Sequence, residues 1–339
     1  MYAIITNTLC LLLLVRLYGL TVGFEYAYDE IPESTTIEIE EITVTETSSS
    51  SETGTTPKID EDEETRRVAA ARNCACGVTK QGHDTYVIGG QPAGDGEFPW
   101  FAAITKFQHN KKPRWKVVCG ASLINKEYAI TAAHCLHNRY KDTLEVVFNI
   151  KDVHNIEKDR NTIRRKIKKF VIHPLYNTTT QHDDIALIQF KVPIDFQKEK
   201  VVPICLPKLS TSKYASKHGI FVGFGHTNYG SGSDKPKENS RILMKVNVPI
   251  LSNYDCLKTK VPTKKNITES MVCAGSQGKD ACINDSGGPL MVQENSKTTL
   301  VGLASWGIGC GLAGYPGVYT RVSQYLEWIT TSSANSLCA

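Results

Sequence analysis

Three short strings carry the residues best suited to chemistry: Thr131-Ala132-Ala133-His134-Cys135, Asp184-Ile185-Ala186-Leu187 and Asn284-Asp285-Ser286-Gly287-Gly288-Pro289. A serine hydroxyl is a poor nucleophile at neutral pH unless an imidazole accepts its proton and later returns it to a leaving group. A carboxylate can orient that imidazole and stabilise its charged form. Histidine, aspartate and serine are therefore a set from which acyl transfer can be built, provided the fold brings them together. Singly, each carries little information, because most such residues are ordinary surface or core residues.

Regular structure has to position these strings, and from Val87 onward the pattern is one of strands. Asp184-Ile185-Ala186-Leu187-Ile188-Gln189-Phe190 runs almost continuously apolar, and Lys245-Val246-Asn247-Val248-Pro249-Ile250 alternates with a period of two. Gly, Asn and Pro-rich turns separate many such stretches, which predicts an all-β sandwich or barrel. Only the end reads as helical. There Val322, Tyr325, Leu326 and Ile329 fall at i, i+3, i+4 and i+7, one apolar stripe that would dock on the barrel.

The first quarter of the 339-residue chain has a different composition. Leu9 to Leu14, followed by Val15 and the small residues Thr21 and Gly23, predicts a secretory signal over 1–23. Arg16 interrupts the run, and a membrane span needs about 20 apolar residues, so no membrane helix is expected. Residues 24–86 form a leader rich in Ser, Thr and Glu, with runs such as Thr47-Ser48-Ser49-Ser50-Ser51 and Asp60-Glu61-Asp62-Glu63-Glu64. Such a segment is too polar to repay the entropy of ordering and predicts a disordered tether. The remaining 87–339 is long enough for one folded unit with a sizeable core.

Charge says little about partners, because the net +4 averages an acidic leader with a more basic body. Basic residues cluster once, at Arg164-Arg165-Lys166-Ile167-Lys168-Lys169. No nucleic-acid motif accompanies them, so a solvated strand face is the expectation and no nucleic-acid partner is. Of the 11 cysteines, Cys10 would leave with the signal and an even set of ten would remain, suited to an oxidising compartment. Asn177-Thr178-Thr179 and Asn266-Ile267-Thr268 are glycosylation sequons that secretion would expose. No cluster of Asp, Glu or His with ligand spacing stands out, so no metal or other cofactor is expected.

Taken together and in the order His, Asp, Ser, the three strings resemble the chymotrypsin family, from Val87 to about Ile329. That resemblance implies two packed antiparallel six-stranded β-barrels with a C-terminal α-helix. It makes Ser286 the nucleophile, His134 the base and Asp184 the residue that orients the imidazole. The neighbour Asp183 reads as a turn residue. Asp280, six places before Ser286, matches the base of the family's specificity pocket, where a carboxylate favours a guanidinium or ammonium group. Ser305, Gly307 and Gly317 match the pocket walls, the two glycines leaving room for a long side chain. Cleavage after Arg or Lys in protein or peptide substrates is therefore expected, and protein protease inhibitors are expected partners. The backbone N–H groups of Asn284 and Ser286 match the oxyanion site.

By the same resemblance, Cys119 pairs with Cys135, Cys256 with Cys273, and Cys282 with Cys310. Cys205 would hold the leader through Cys74 or Cys76. The other of that pair and Cys338 would then bond to each other or remain available between chains. Val87-Ile88-Gly89-Gly90 resembles the amino terminus freed on activation, whose ammonium group would pair with Asp285. A buried pair of this kind acts as a switch, since neither charge is tolerated alone. It also argues against glycosylation at Asn284, whose sequon lies inside the switch.

Two departures from the family pattern bear on function. Tyr86 stands where relatives carry Arg or Lys before the activation bond, and cleavage after Lys80 would leave extra residues ahead of Val87. An activating protease of chymotrypsin-like preference, a second trimming step, or no activation at all would each fit. Asn284 replaces the usual glycine, and Asn adopts positive φ more readily than most residues, although loss of one oxyanion donor costs about 100- to 1,000-fold in turnover. Ile283 beside it replaces the polar residue common there. A rival class is a catalytically weak or inactive homologue that acts as a binding or regulatory protein, since fold alone never establishes activity. His134, Asp184, Ser286 and Asp280 are all retained, which favours an enzyme. The leader Cys74-Ala75-Cys76-Gly77 ahead of a single catalytic domain is similar to arthropod secreted proteases, including venom and salivary enzymes.

Overall fold

The computed structural model describes residues 75–79, 90–108, 114–208, 214–225, 240–261, 267–277, 285–309, 311–334 and 337–338. All of them lie in the second of two units into which the chain divides, Lys58–Ala339. The expected signal over 1–23 and most of the expected leader over 24–86 lie outside the described residues.

A first barrel closes from β2 (Phe101–Gln108), β3 (Arg114–Leu123), β4 (Tyr128–Thr131), β5 (Leu144–Phe148), β6 (Ile163–Ile172) and β7 (Ala186–Phe190), ordered β2-β3-β4-β7-β6-β5. Every pairing within it is antiparallel. Closure leaves no edge strand to be protected. The apolar run after Asp184 becomes β7, buried along its whole length, but the strand starts at Ala186 because Asp184 and Ile185 still belong to the preceding turn.

The second barrel uses β8 (His218–Gly223), β9 (Met244–Leu251), β10 (Met271–Ala274), β11 (Pro289–Glu294), β12 (Lys297–Trp306) and β13 (Gly317–Arg321). The order β8-β9-β10-β13-β12-β11 returns to β8, so this sheet also closes with six strands. A two-residue strand β1 (Gln91–Pro92) adds to β9 opposite Lys245 and Met244. The barrels meet through Phe101 and Phe224, with ring centroids 5.7 Å apart, and through Trp100, whose indole N–H donates to the Met291 sulfur at 3.0 Å. Two antiparallel six-stranded barrels with a short C-terminal helix are what the resemblance implied.

A turn of 3-10 helix, Val322–Tyr325, leads into the C-terminal helix, Leu326–Ser332. Val322, Tyr325 and Ile329 of the expected stripe are buried. A shorter helix, α1 (Asn253–Leu257), has no counterpart in the sequence expectation. The five residues of α1 are too few for a periodic signature, and Ser252 starts it by accepting the Asp255 N–H at 3.0 Å.

The C-terminal segment is held by His173, just beyond β6, whose ring meets Tyr325 and Trp328 edge-on at 5.2 and 5.1 Å between centroids. Burial holds this imidazole below its ordinary pKa, against the opposing charge of Asp183. With the folded value depressed, the unfolded chain takes up the proton first as pH falls. The stabilisation is therefore complete above the ordinary value of about 6.5 and is lost as pH falls through the folded value. Between about pH 8 and pH 5, the Tm of His173→Phe should fall less steeply than that of the parent. Parallel melting curves against pH would show that His173 contributes nothing to the acid sensitivity.

Candidate functional site

His134 sits in a single turn of 3-10 helix, Ala133–Cys135, directly after β4. The Cys119–Cys135 disulfide fixes this turn against β3. Asp184 stands just before β7, and β4 pairs with β7 so that Thr131 lies opposite Ala186. This register brings two residues 50 apart in sequence to the same end of the barrel.

Asp184 is completely buried, and a buried carboxylate is costly unless it is hydrogen-bonded. Its Oδ1 accepts the His134 backbone N–H at 2.9 Å. Its Oδ2 lies 2.7 Å from His134 Nδ1 and accepts the Ser305 hydroxyl at 2.5 Å. A carboxylate only accepts, so Nδ1 carries the proton and Nε2 is left as the basic nitrogen. The Thr320 hydroxyl donates to the Asp184 main-chain oxygen at 2.7 Å, tying the acid to the second barrel. Nearby Tyr176 has its phenol pushed up to about 12, first by burial and then by the charge of Asp184.

Ser286 lies in the turn before β11, and three contacts fix that turn. Its carbonyl accepts the Gly120 N–H at 2.8 Å, the Gly287 N–H donates to Ala304 O at 2.7 Å, and the Gly288 N–H donates to Asp285 O at 2.9 Å. Gly120 belongs to β3 and Ala304 to β12, so strands of both barrels hold the serine. Gly287 has φ 73°. A Cβ there would stand 2.1 Å from Thr131 Oγ1 and 3.1 Å from Ala132 N, on the segment that leads into His134. The serine turn thus abuts the histidine turn. Among the described residues no hydrogen bond joins the Ser286 hydroxyl to His134, and Nε2 has the Cys135 sulfur at 3.8 Å. Such bonds are commonly long in unliganded enzymes and tighten in the substrate complex.

Asp285 is buried, and its Oδ1 accepts the Gly225 N–H at 2.7 Å. A Cβ on Gly223 or Gly225 would come within 1.9 or 2.2 Å of its carboxylate oxygens, so two glycines form the cradle for this acid. Ser305, Gly307 and Gly317 lie at the ends of β12 and β13. A Cβ on Gly307 would meet Gly317 Cα at 3.8 Å, so the two glycines face one another across a gap that larger residues would fill. Val87, Asp280, Cys282, Ile283, Asn284, Cys310, Cys74 and Asn266 lie outside the described residues.

Cys205 is bonded to Cys76, one of the two alternatives open to it, and Cys256 to Cys273. Cys338 is also disulfide-bonded. Cys119, His134 and Cys135 bring ligand-type atoms within 4.8 Å of one another, but the two sulfurs are joined and offer no thiolate to a metal. Asn177 is exposed in a turn where its Oδ1 accepts the Thr179 and Thr180 N–H groups at 2.9 and 3.0 Å.

Sequence reasoning missed several positioning residues. Thr131 donates to Gly120 O at 2.7 Å, Ser305 grips Asp184, a contact separate from the pocket role expected of it, and Gly223 and Gly225 make room for Asp285. Asp183 is more than a turn residue, because it accepts the Tyr325 hydroxyl at 2.8 Å and adopts φ 53°. Each of these contacts spans a sequence separation that no local pattern encodes.

Comparison with known proteins agrees with this architecture. The family model described as Trypsin matches residues 87–329. A venom serine protease of Bombus ignitus is 36% identical over 266 residues, 74% of this chain and 69% of that protein. A venom protease of Bombus pensylvanicus is 36% identical over 253 residues, 71% of this chain and 96% of that protein. Serine proteinase stubble of Drosophila melanogaster is 32% identical over 273 residues, 78% of this chain but 33% of that longer protein. With a family match over most of its length and two closed barrels holding a His–Asp pair beside a serine turn, the chain belongs to the trypsin family of chymotrypsin-like serine proteases and is a serine-type endopeptidase.

Proposed function

We propose that this endopeptidase is secreted as a zymogen and hydrolyses peptide bonds after Arg or Lys through an acyl-enzyme intermediate. The observation that carries the reading is the buried Asp184 carboxylate, 2.7 Å from His134 Nδ1, which leaves Nε2 free to act as a base beside the Ser286 turn. Ser286 Oγ attacks the scissile carbonyl carbon, and its proton passes to His134 Nε2. The carbonyl oxygen becomes an oxyanion held by the N–H groups of Asn284 and Ser286. Collapse expels the amine, which takes the proton from His134. A water molecule then attacks the ester by the same route, regenerating the serine and releasing the acid.

Preference for Arg or Lys rests on Asp280, with the facing Gly307 and Gly317 leaving room for a long side chain. Activation rests on cleavage between Tyr86 and Val87, where the family match begins, and on the pairing of the freed amine with Asp285 in its glycine cradle. A protease that cuts after Tyr86 is then the activating partner. Secretion is supported by the apolar start of the chain and by disulfides, which persist in oxidising compartments. Asn177 and Asn266 would then carry glycans, and the exposed turn around Asn177 suits this role.

The test is to produce the precursor in secreting cells, treat it separately with trypsin and chymotrypsin, sequence the new amino termini, and assay peptides ending in Arg, Lys or Phe. Activity on Arg and Lys substrates should follow the exposure of Val87 and be absent from Ser286→Ala. Asp280→Ser should lower kcat/KM for Arg substrates by about 100- to 10,000-fold, because it removes one partner of a desolvated charge pair. Arg cleavage unchanged in Asp280→Ser would remove the specificity assignment while leaving the peptidase assignment intact.

A further inference from the structure

The basic run on β6 divides into two groups. Arg164 is paired with Glu145 at 2.7 Å and lies over the Trp115 ring at 4.4 Å, and Arg165 is paired with Glu199. Lys166, Lys168 and Lys169 are exposed, and their side chains make no ion pair or hydrogen bond with any of the described residues. Alternate residues of a strand share a face at a repeat of about 7 Å, so Lys166 and Lys168 stand side by side, and Lys169 joins them where the pairing with β7 shifts register. Adjacent unpaired ammonium groups repel one another and favour an anionic cover.

The same chain holds such a cover close by. Cys76 is bonded to Cys205, and Gly77 is clamped between Pro203 O at 2.8 Å and the Thr298 N–H at 2.9 Å. Phe196 packs on the cysteine cluster, and its turn is closed by Glu199, which accepts the Asp195 N–H at 2.9 Å and takes Arg165. One turn of chain therefore separates the leader's anchor from the basic strand. Glu64 lies 12 residues before Cys76. Such a stretch reaches about 40 Å when extended, against about 33 Å for the ten residues of β6.

We propose that the acidic run Asp60-Glu61-Asp62-Glu63-Glu64, tethered through the Cys76–Cys205 disulfide, lies along the exposed face of β6 and pairs with Lys166, Lys168 and Lys169. Five successive carboxylates present alternate charges at the repeat of the lysines whenever the segment is extended. A short tether holds them at an effective concentration of millimolar order, which turns individually weak surface pairs into an occupied contact. Because the anchor is a disulfide, cleavage before Val87 leaves the acidic run attached, and the basic face stays covered in the cleaved protein.

The test is carbodiimide cross-linking of the full secreted chain, which joins only carboxylates and amines in contact. It is run at about 20 mM and about 500 mM salt, where the screening length falls from about 20 Å to about 4 Å. At low salt, Asp60–Glu64 peptides should be linked to Lys166, Lys168 or Lys169, and these links should drop by about tenfold or more at high salt. Lys106 and Lys116, exposed, opposite one another in the first barrel and likewise without an ion pair among the described residues, serve as controls within the same molecule. In Lys166→Gln/Lys168→Gln/Lys169→Gln the leader links should disappear rather than move to the controls, with the Cys76–Cys205 disulfide verified by non-reducing peptide mapping. Equal coupling to the control lysines, or none to β6, overturns the proposal. So does heparin binding to β6 that is unaffected by replacing all five acids with amides, since the face would then be open to an external polyanion.

Discussion

Replacing Asp184 with Asn is expected to lower kcat roughly 10,000-fold with little change in KM, the size of the loss that the same exchange causes in the chymotrypsin-family triad. The direction follows from the hydrogen bonds. Asp184 accepts from the His134 backbone N–H, from His134 Nδ1 and from the Ser305 hydroxyl. An amide keeps one accepting oxygen and gains an NH2 group that only donates. With the oxygen on the backbone N–H, the NH2 group faces Nδ1, which must then accept, and the ring proton moves to Nε2. The nitrogen needed as the base is lost while the packing survives. Steady-state kinetics on the cleaved enzyme, with melting curves as the folding check, separate the two effects. A loss below about tenfold would mean that the pair does not set the histidine tautomer.

Gly287→Ala is expected to abolish detectable turnover and to destabilise the protein. The added Cβ would stand 2.1 Å from Thr131 Oγ1 and 2.7 Å from Gly120 O, at a φ of 73° that disfavours a side chain. The serine turn must shift, and misplacement by about 1 Å costs on the order of 100-fold, before any loss of an oxyanion donor is added. The product of the two effects is at least about 10,000-fold. Thr131→Ala in the same chain should give no rescue, because Gly120 O and Ala132 N, at 2.7 and 3.1 Å, belong to the backbone and remain. Restoration of activity by Thr131→Ala would show that the hydroxyl alone makes the position intolerant.

Much of the fold is legible in the sequence because local pattern and global architecture agree. The alternation in Lys245–Ile250 falls within β9, and the C-terminal stripe forms a docked helical segment with Val322, Tyr325 and Ile329 inside. What is not legible depends on closure. The addition of β1 to β9, the cradle that Gly223 and Gly225 form for Asp285, and the Thr131–Gly120 contact join residues whose distances in sequence carry no periodic signal. The site is readable at the level of three strings, since each has a recognisable neighbourhood. The second grip on Asp184 by Ser305, 121 residues away, is not. Asp183 resembles a plain turn residue in sequence because its link to Tyr325 runs from one barrel to the C-terminal segment, 142 residues later.

The most direct measurement is labelling of the cleaved protein with a fluorophosphonate, followed by mass spectrometry of the Ser286 peptide. A serine activated by His134 should take up one label per molecule at Ser286, and Ser286→Ala should take up none. Asp184→Asn should react far more slowly than the parent, in step with its loss of kcat. Absence of label at Ser286 in folded protein with Val87 exposed would contradict the proposed mechanism and leave a trypsin-family fold without a working nucleophile.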